Sequence, residues 1–523
     1  MTLTATPHDG PCAFGKLYAP PRPPTTGAPR RTPSRYQEAI YAWVRTGYGD
    51  ALVDAVPGSG KTTTLVEAAA LIDGDGLFVA FNKHIATELR DRLPAAMDAS
   101  TIHSLGLSTL RAAGLTLTVK QDKYRRLAEA YFVQDRHLDS TTARDLVGLT
   151  LSVLHMAQLT LTPPDDLLAL RTMALDYDLD LAGWDQVAPA IAPILRRGVD
   201  QRATSIDFND MVWLPTILGL TPRQRDWVMI DEAQDLNVAQ RELVLRARRP
   251  GGRVIAVGDC RQSMYRFAGV DSGSMARIAE RTGACMLPLS ISYRLPRRHA
   301  ALVNTIYDTV ESPPGAPEGV IDTVAEDAAL GMMRVGDMVL CRVNAPLIAL
   351  AYRLIRRGVS ARVRGRDIGV GLAALVKKVE KQPGFTMRRL PDALAAHVER
   401  VERELGDAGG VNGRLVMAVE GARDRTATIQ AIADATRPPD TAALKDAILG
   451  LFKDEGAPCV SLSTVHKAKG LEADRVWILA PDKMPHPKAS GSAQVEQEHN
   501  IQYVAYSRSK SELYFLRGEK RSA

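Results

Sequence analysis

The stretch "AVPGSGKTTT", Ala55 to Thr64, decides how the rest of the chain is read. It follows the apolar run "ALVDAV" and opens onto "TTTLVEAAALI", so strand, Gly-rich turn and helix come in that order. Gly58 and Gly60 let backbone amides approach phosphate oxygens with no Cβ in the way, and Ser59 and Thr63 belong to the same cradle. The helix N-terminus adds partial positive charge. Lys61 can reach the β- and γ-phosphates, and the Thr62 hydroxyl can ligate Mg²⁺. Ala55 stands where the general pattern has glycine.

A phosphate loop needs an acid, and "VMIDEAQDL" supplies one. Its apolar run ends in Asp231 and Glu232, where open α/β sheets place their ligands. Asp231 can hold Mg²⁺ through its coordinated water, and Glu232 can orient or deprotonate an attacking water. Nucleoside triphosphate hydrolysis follows from the pair of motifs; what it drives does not.

Outward from these motifs, strands and helices alternate, which points to parallel sheets covered on both faces. The strands expected are "ALVDAV", "GLFVAF", "DWVMID" and "RVIAVGD", then "DMVLCRV", "VSARVRG", "CVSLSTV", "RVWILA" and "ELYFLRG". Residues 105–200 and 376–455 are helical in pattern, so the layout is two α/β cores, each with a helical insertion. The stretch "YVAYSRSK", Tyr503 to Lys510, reads as a strand breaking into a helix with Arg508 at the junction. Residues 1–33, with "APPRPPTTGAPRRTP", form a basic Pro-rich tail, either a solvated leader or a loose DNA-contacting arm.

Bulk properties narrow the class. A chain of 523 residues exceeds what one core supports, and its 45% hydrophobic and 24% charged residues suit a water-soluble protein. The net charge of +6 mildly favours an anionic partner. Five scattered cysteines argue against a disulfide framework or zinc site and suit a reducing cytoplasm. No apolar run is long enough to cross a membrane.

"DEAQD", then "VIAVGDCRQSMYRFAGVD", "LSISYR", "STVHKAKGLEADRVWIL" and "EQEHNIQYVAYSRSK", resemble in order the motifs of UvrD/Rep-like superfamily 1 DNA helicases. "TPSRYQEAI", "FVAFNKHIATEL" and "STIHSLG" resemble that family's earlier motifs, and the compact size looks like phage-encoded members. The resemblance implies two RecA-like phosphate-loop NTPase domains with parallel sheets. The first would span 34–104 and 201–287, with 105–200 inserted; the second 288–375 and 456–523, with 376–455 inserted.

It also implies roles. Gln37 would recognise adenine, Tyr293 would stack on that base, and Glu472 would contact ribose and phosphate. Gln262 would link the γ-phosphate to the DNA-facing side, while Arg294 and Arg508 would be delivered to the γ-phosphate from the second core. A guanidinium is planar, permanently charged and bidentate, which suits that task. Asn82, Lys83, Thr101, His103, Thr464 and His466 align with backbone-contacting motifs, though both histidines can equally be structural. Tyr265 and Phe267 are either stacking platforms or, for Tyr265 especially, core residues. Ala268 and Asn500 stand where the family usually has arginine, and Phe81 is displaced by one position from the expected aromatic.

The activity implied is 3′-to-5′ translocation on single-stranded DNA and at single/double-strand junctions, using ATP and Mg²⁺. A monomer or weak oligomer acting with replication or repair proteins is expected. A protein-stripping translocase with little unwinding, or an ATP-switched DNA-binding scaffold, remains the alternative.

Overall fold

The computed structural model describes residues 32–517 apart from 81, 116–117, 178, 180, 182, 265–268, 272, 407–412, 453–456 and 490–491. The chain divides between Ile291 and Ser292 into two compact units, each built on a six-stranded parallel sheet.

In the first unit the strands are β1 (Ala51–Ala55), β2 (Gly76–Ala80), β3 (Met97–Thr101), β4 (Arg225–Ile230), β5 (Arg248–Gly258) and β6 (Cys285–Leu289). Their order is β3-β2-β4-β5-β1-β6, every pair parallel. The central strands carry apolar residues on both faces because helices cover both, which gives one cluster around Val53, Phe78 and Ile255 and another around Leu52, Val228 and Ala256. Because β6 runs to Leu289, the expected boundary at 287/288 cuts through a strand of the first sheet.

Between β3 and β4 lie the helices from Ile102–Ala112 to Phe208–Ile217. They bury a cluster of their own, including Tyr124, Phe132, Leu154, Ile191 and Trp213. A buried ion pair sits in it: Lys123 Nζ lies 2.5 Å from Asp210 Oδ2, and Tyr124 donates its hydroxyl to Asp210 Oδ1 at 2.7 Å.

The second unit has β7 (Val320–Ala325), β8 (Met338–Cys341), β9 (Ala361–Val363), β10 (Val460–Thr464), β11 (Ala473–Ile478) and β12 (Ser509–Arg517), in the order β7-β12-β11-β8-β10-β9. Its insertion behaves differently. Ile429, Ile432, Leu444 and Ile448 from the inserted helices share one cluster with Val339, Leu462 and Trp477 of the strands. Asp424 reaches from helix Gly413–Thr436 to accept from the amides of Asn344 and Ala345 at 3.1 Å, which fixes the start of helix Ala345–Arg356. These helices therefore form the covering layer of the sheet.

The stretch Tyr503–Lys510 corrects the sequence reading. Tyr503 to Tyr506 end helix Ser492–Tyr506, and the strand begins at Ser509, so the order is helix then strand. Residues 503–506 are all buried, which erases the amphipathic period, and a short apolar run alone cannot separate a strand from a buried helix.

Candidate functional site

In the first unit the phosphate loop leaves β1 and enters helix Lys61–Ala69. Gly58 (φ 74°) and Gly60 (φ 83°) both take the left-handed conformation that only glycine adopts freely. Between them the Ser59 hydroxyl is buried with no hydrogen-bond partner among the described residues, and the first-turn amides of the helix lack intrahelical acceptors. An orphaned hydroxyl among unsatisfied amides and a lysine suits an anionic phosphate chain.

β4 delivers the acid pair beside this loop. Thr62 Oγ1 donates to Asp231 Oδ2 at 2.5 Å, and Lys61 Nζ lies 3.6 Å from Glu232 Oε1. Burial first, and the charge of Glu232 next, push the Asp231 carboxyl up to about 6. Glu232 sits at φ 53°, an uncommon conformation for a residue with a side chain and one that recurs at functional sites. Gln234 Nε2 donates to Glu232 Oε2 at 2.6 Å, and Gln234 Oε1 accepts from the Asp259 amide at 3.0 Å. Gln262 Nε2 donates to Asp259 Oδ2 at 2.8 Å, so a bonded path runs from Glu232 to Gln262. A hydroxyl and one carboxylate at a common point match Mg²⁺, which keeps several waters and needs few protein ligands.

Gln37 has a structural task as well. Its side chain closes a capping box with Ser34, and its Nε2 donates to Thr64 Oγ1 at 3.0 Å, which ties helix Arg35–Thr46 to the phosphate-loop helix.

On the same sheet, Asn82 and Thr101 are N-caps at the ends of adjacent strands β2 and β3, accepting from the amides of Ile85 and Ser104. Lys83 is exposed beside Asn82, and burial lowers the pKa of His103. Tyr265 and Phe267 lie outside the described residues, as does Phe81.

In the second unit, Arg294, Glu472 and Lys510 form a chain of ion pairs. Arg294 Nη2 lies 2.5 Å from Glu472 Oε2, and Lys510 Nζ lies 2.6 Å from Glu472 Oε1. Burial pushes the Glu472 carboxyl up, but Lys510 and Arg294 together outweigh it and hold the pKa below the usual value. Arg294 Nε is buried with no partner among the described residues, and neighbouring Tyr293 is half exposed. Arg508 is fully buried; it donates to the carbonyls of Val504 (2.9 Å) and Leu471 (3.4 Å) and to Ser507 Oγ (2.9 Å). Thr464, at the end of β10, is buried as the N-cap of Val465–Ala468. Burial, then the charges of Arg342 and Lys467, push His466 down to about 3, so it is neutral at physiological pH.

Residues 37–282 match the UvrD/REP helicase N-terminal domain, and residues 424–519 match the UvrD-like helicase C-terminal domain. The chain belongs to the UvrD/REP helicase family. It is 24% identical to the ATP-dependent DNA helicase UvrD2 of Mycobacterium tuberculosis, covering 89% of this chain and 76% of that protein. With UvrD1 of the same organism the identity is 25%, covering 90% and 80%. The ATP-dependent DNA helicase PcrA of Bacillus subtilis is 24% identical over 50% of this chain and 38% of its own.

Three residues of this UvrD-like chain escaped the sequence reading. Asp54, at the end of β1, is bound by Arg261 Nη2 at 2.7 Å, and Arg261 Nε also binds Asp259 at 2.8 Å. This links the phosphate-loop strand to the Gln262 turn. An acid inside the otherwise apolar "ALVDA" was the available signal. The third is Phe208, 47% exposed, whose ring meets His103 edge to face at 6.2 Å. It opens helix Phe208–Ile217, fixed by the Asp207/Asp210 capping box. Helix Ile102–Ala112 lies so close that a Cβ on Gly106 would collide with the Met211 carbonyl. "DFND" reads as a capping signal, but the direction of the Phe208 ring appears only once the two helices meet. Among the described residues, no helix is long and apolar enough to cross a membrane.

Proposed function

We propose that this chain is an ATP- and Mg²⁺-dependent translocase and helicase that moves 3′ to 5′ along single-stranded DNA. The observation that carries the reading is the convergence of Lys61, Thr62, Asp231 and Glu232 around one helix N-terminus. Family membership and the names of the relatives support DNA as the substrate; the polarity is what the motif resemblance implies.

In this reading the loop amides, Ser59 and Lys61 bind the phosphate chain. Thr62 and Asp231 would hold Mg²⁺, which when bound would supply positive charge against the negative charge of the phosphate chain. Glu232 orients the attacking water and accepts its proton, with Lys61 and Gln234 fixing the carboxylate. By the motif resemblance, Arg294 and Arg508 would serve the γ-phosphate; such arginines add roughly 10³–10⁵ in rate. Asn82, Lys83, Thr101 and the His103–Phe208 pair contact the strand, the rings stacking on bases and the polar groups meeting phosphates.

ATP turnover with and without single-stranded DNA, for wild type and Arg294→Ala, tests this. Strong stimulation by DNA, lost in the variant while nucleotide still binds, is expected; unstimulated wild-type turnover overturns it. Arg294 is the better probe because Arg508 also holds main-chain carbonyls. Unwinding of a forked duplex, run beside streptavidin displacement, separates a helicase from a protein-stripping translocase.

A further inference from the structure

The second unit contains a cavity of about 270 Å³ that none of the site residues above explains, apart from Glu472 at its wall. Arg362 and Arg364 line it from β9. They stand two apart, on the face opposite Val363, whose side chain goes into the core. Ser461 of β10 pairs in register with Arg362 and accepts from Arg364 Nε at 2.9 Å. Arg362 Nη2 donates to the Ala457 carbonyl at 3.0 Å.

Neither arginine has a carboxylate partner among the described residues, although both are half-buried. The two acids in the wall are already committed. Glu472 carries Arg294 and Lys510, while Asp337 accepts from Trp477 Nε1 at 2.8 Å and lies 3.4 Å from Arg475. Among the described residues, the cavity therefore presents two guanidiniums with no paired carboxylate, each engaged through one nitrogen by the bonds above. Burying a cation without its counter-charge is costly, and an anion entering the cavity removes that cost.

We propose that this cavity binds a small phosphate-class anion, gripped by Arg362 and Arg364. The volume admits a tetrahedral oxyanion with its waters, or the phosphoryl end of a nucleotide. Free orthophosphate and a nucleoside monophosphate share this chemistry. An anion here faces Glu472 and drives its carboxylate toward Arg294 and Lys510, which restrains Arg294. That consequence rests on the proposed function; the binding itself does not.

Cys459 lines the same cavity and is partly exposed, so its thiol reports on occupancy without ATP turnover. The experiment is site-resolved thiol alkylation of the full chain, read by mass spectrometry, without DNA or ATP. Orthophosphate, sulfate and AMP are compared at equal ionic strength with chloride. Protection of Cys459 by several-fold is expected, lost in Arg362→Gln and Arg364→Gln and largely kept in Arg364→Lys. Protection by orthophosphate and sulfate assigns a free-anion site; protection by AMP alone assigns a nucleotide phosphate. Buried Cys341 must stay unreactive in every variant, which verifies the fold. No protection by any of the three, or equal protection in both glutamine variants, overturns the proposal.

Discussion

Thr62 and Asp231 are 169 positions apart in sequence, yet the hydroxyl of one donates to the carboxylate of the other at 2.5 Å. The contact joins the start of the phosphate-loop helix to the end of β4 and buries an acid beside Glu232. Burial and that neighbour raise the Asp231 pKa from 3.8 to about 6. A raised carboxyl pKa stabilises the fold only while the group is protonated, and that contribution is lost as pH rises through about 6. Asp231→Asn is therefore expected to melt higher than wild type at about pH 8, with that difference roughly halved at about pH 5. Scanning fluorimetry at both pH values checks this; a variant less stable at the higher pH refutes it.

The same carboxylate must be charged to hold a divalent cation. Mg²⁺-dependent binding of a fluorescent ATP analogue is expected to weaken as pH falls through about 6. Asp231→Asn should bind weakly at every pH, with no such slope. A wild-type profile flat across this range would remove Asp231 from the metal's coordination.

Much of this was legible in sequence because strand interiors and their C-terminal turns carry strong local signals. β1, β2, β4 and β5 are apolar on both faces, and the groups with chemistry follow them directly. The strands that went unread, β3, β6 and β7, all lie at sheet edges. β3 and β7 are partly exposed and polar, and β6 contains Pro288, so none shows the apolar run of a central strand. Asp54, Arg261 and Phe208 were missed for another reason: each acquires its partner only when distant segments pack.

The Lys123–Asp210 pair shows how a buried charge fixes the helix that carries Phe208. Both side chains are at most 1% exposed. Lys123→Met leaves the carboxylate unpaired, and such losses cost about 3–5 kcal/mol. The double variant Lys123→Met/Asp210→Asn, with neither charge of the pair left to bury, is expected to be markedly more stable than the single one. Urea unfolding of both measures this; equal losses would mean the pair's charge is irrelevant.

Phe208 is half exposed, so its removal tests contact rather than folding. Phe208→Ala is expected to lower affinity for single-stranded DNA roughly 5- to 150-fold, the equivalent of about 1–3 kcal/mol for one stacked base. Phe208→Trp should retain binding. Fluorescence anisotropy with an oligonucleotide supplies the affinities, and unchanged DNA-independent ATPase and melting temperature confirm intact protein. An alanine variant that binds as tightly as wild type shows that the ring only covers His103.

The second insertion shares its core with the strands of the sheet, and this makes a prediction about autonomy. Ile432 is fully buried in the cluster that contains Val339, Leu462 and Trp477. If the inserted helices were a separate body, Ile432→Ala would loosen them and leave the sheet intact. Because the cluster is continuous, the substitution should cost about 2–5 kcal/mol in the unfolding of the whole second unit. Asp424→Ala, which uncaps helix Ala345–Arg356, should cost about 1 kcal/mol more when combined with it. Hydrogen exchange decides the matter: β8 and β10 amides must lose protection together with helix Gly413–Thr436. Loss confined to the helices would mean that the sheet stands without them.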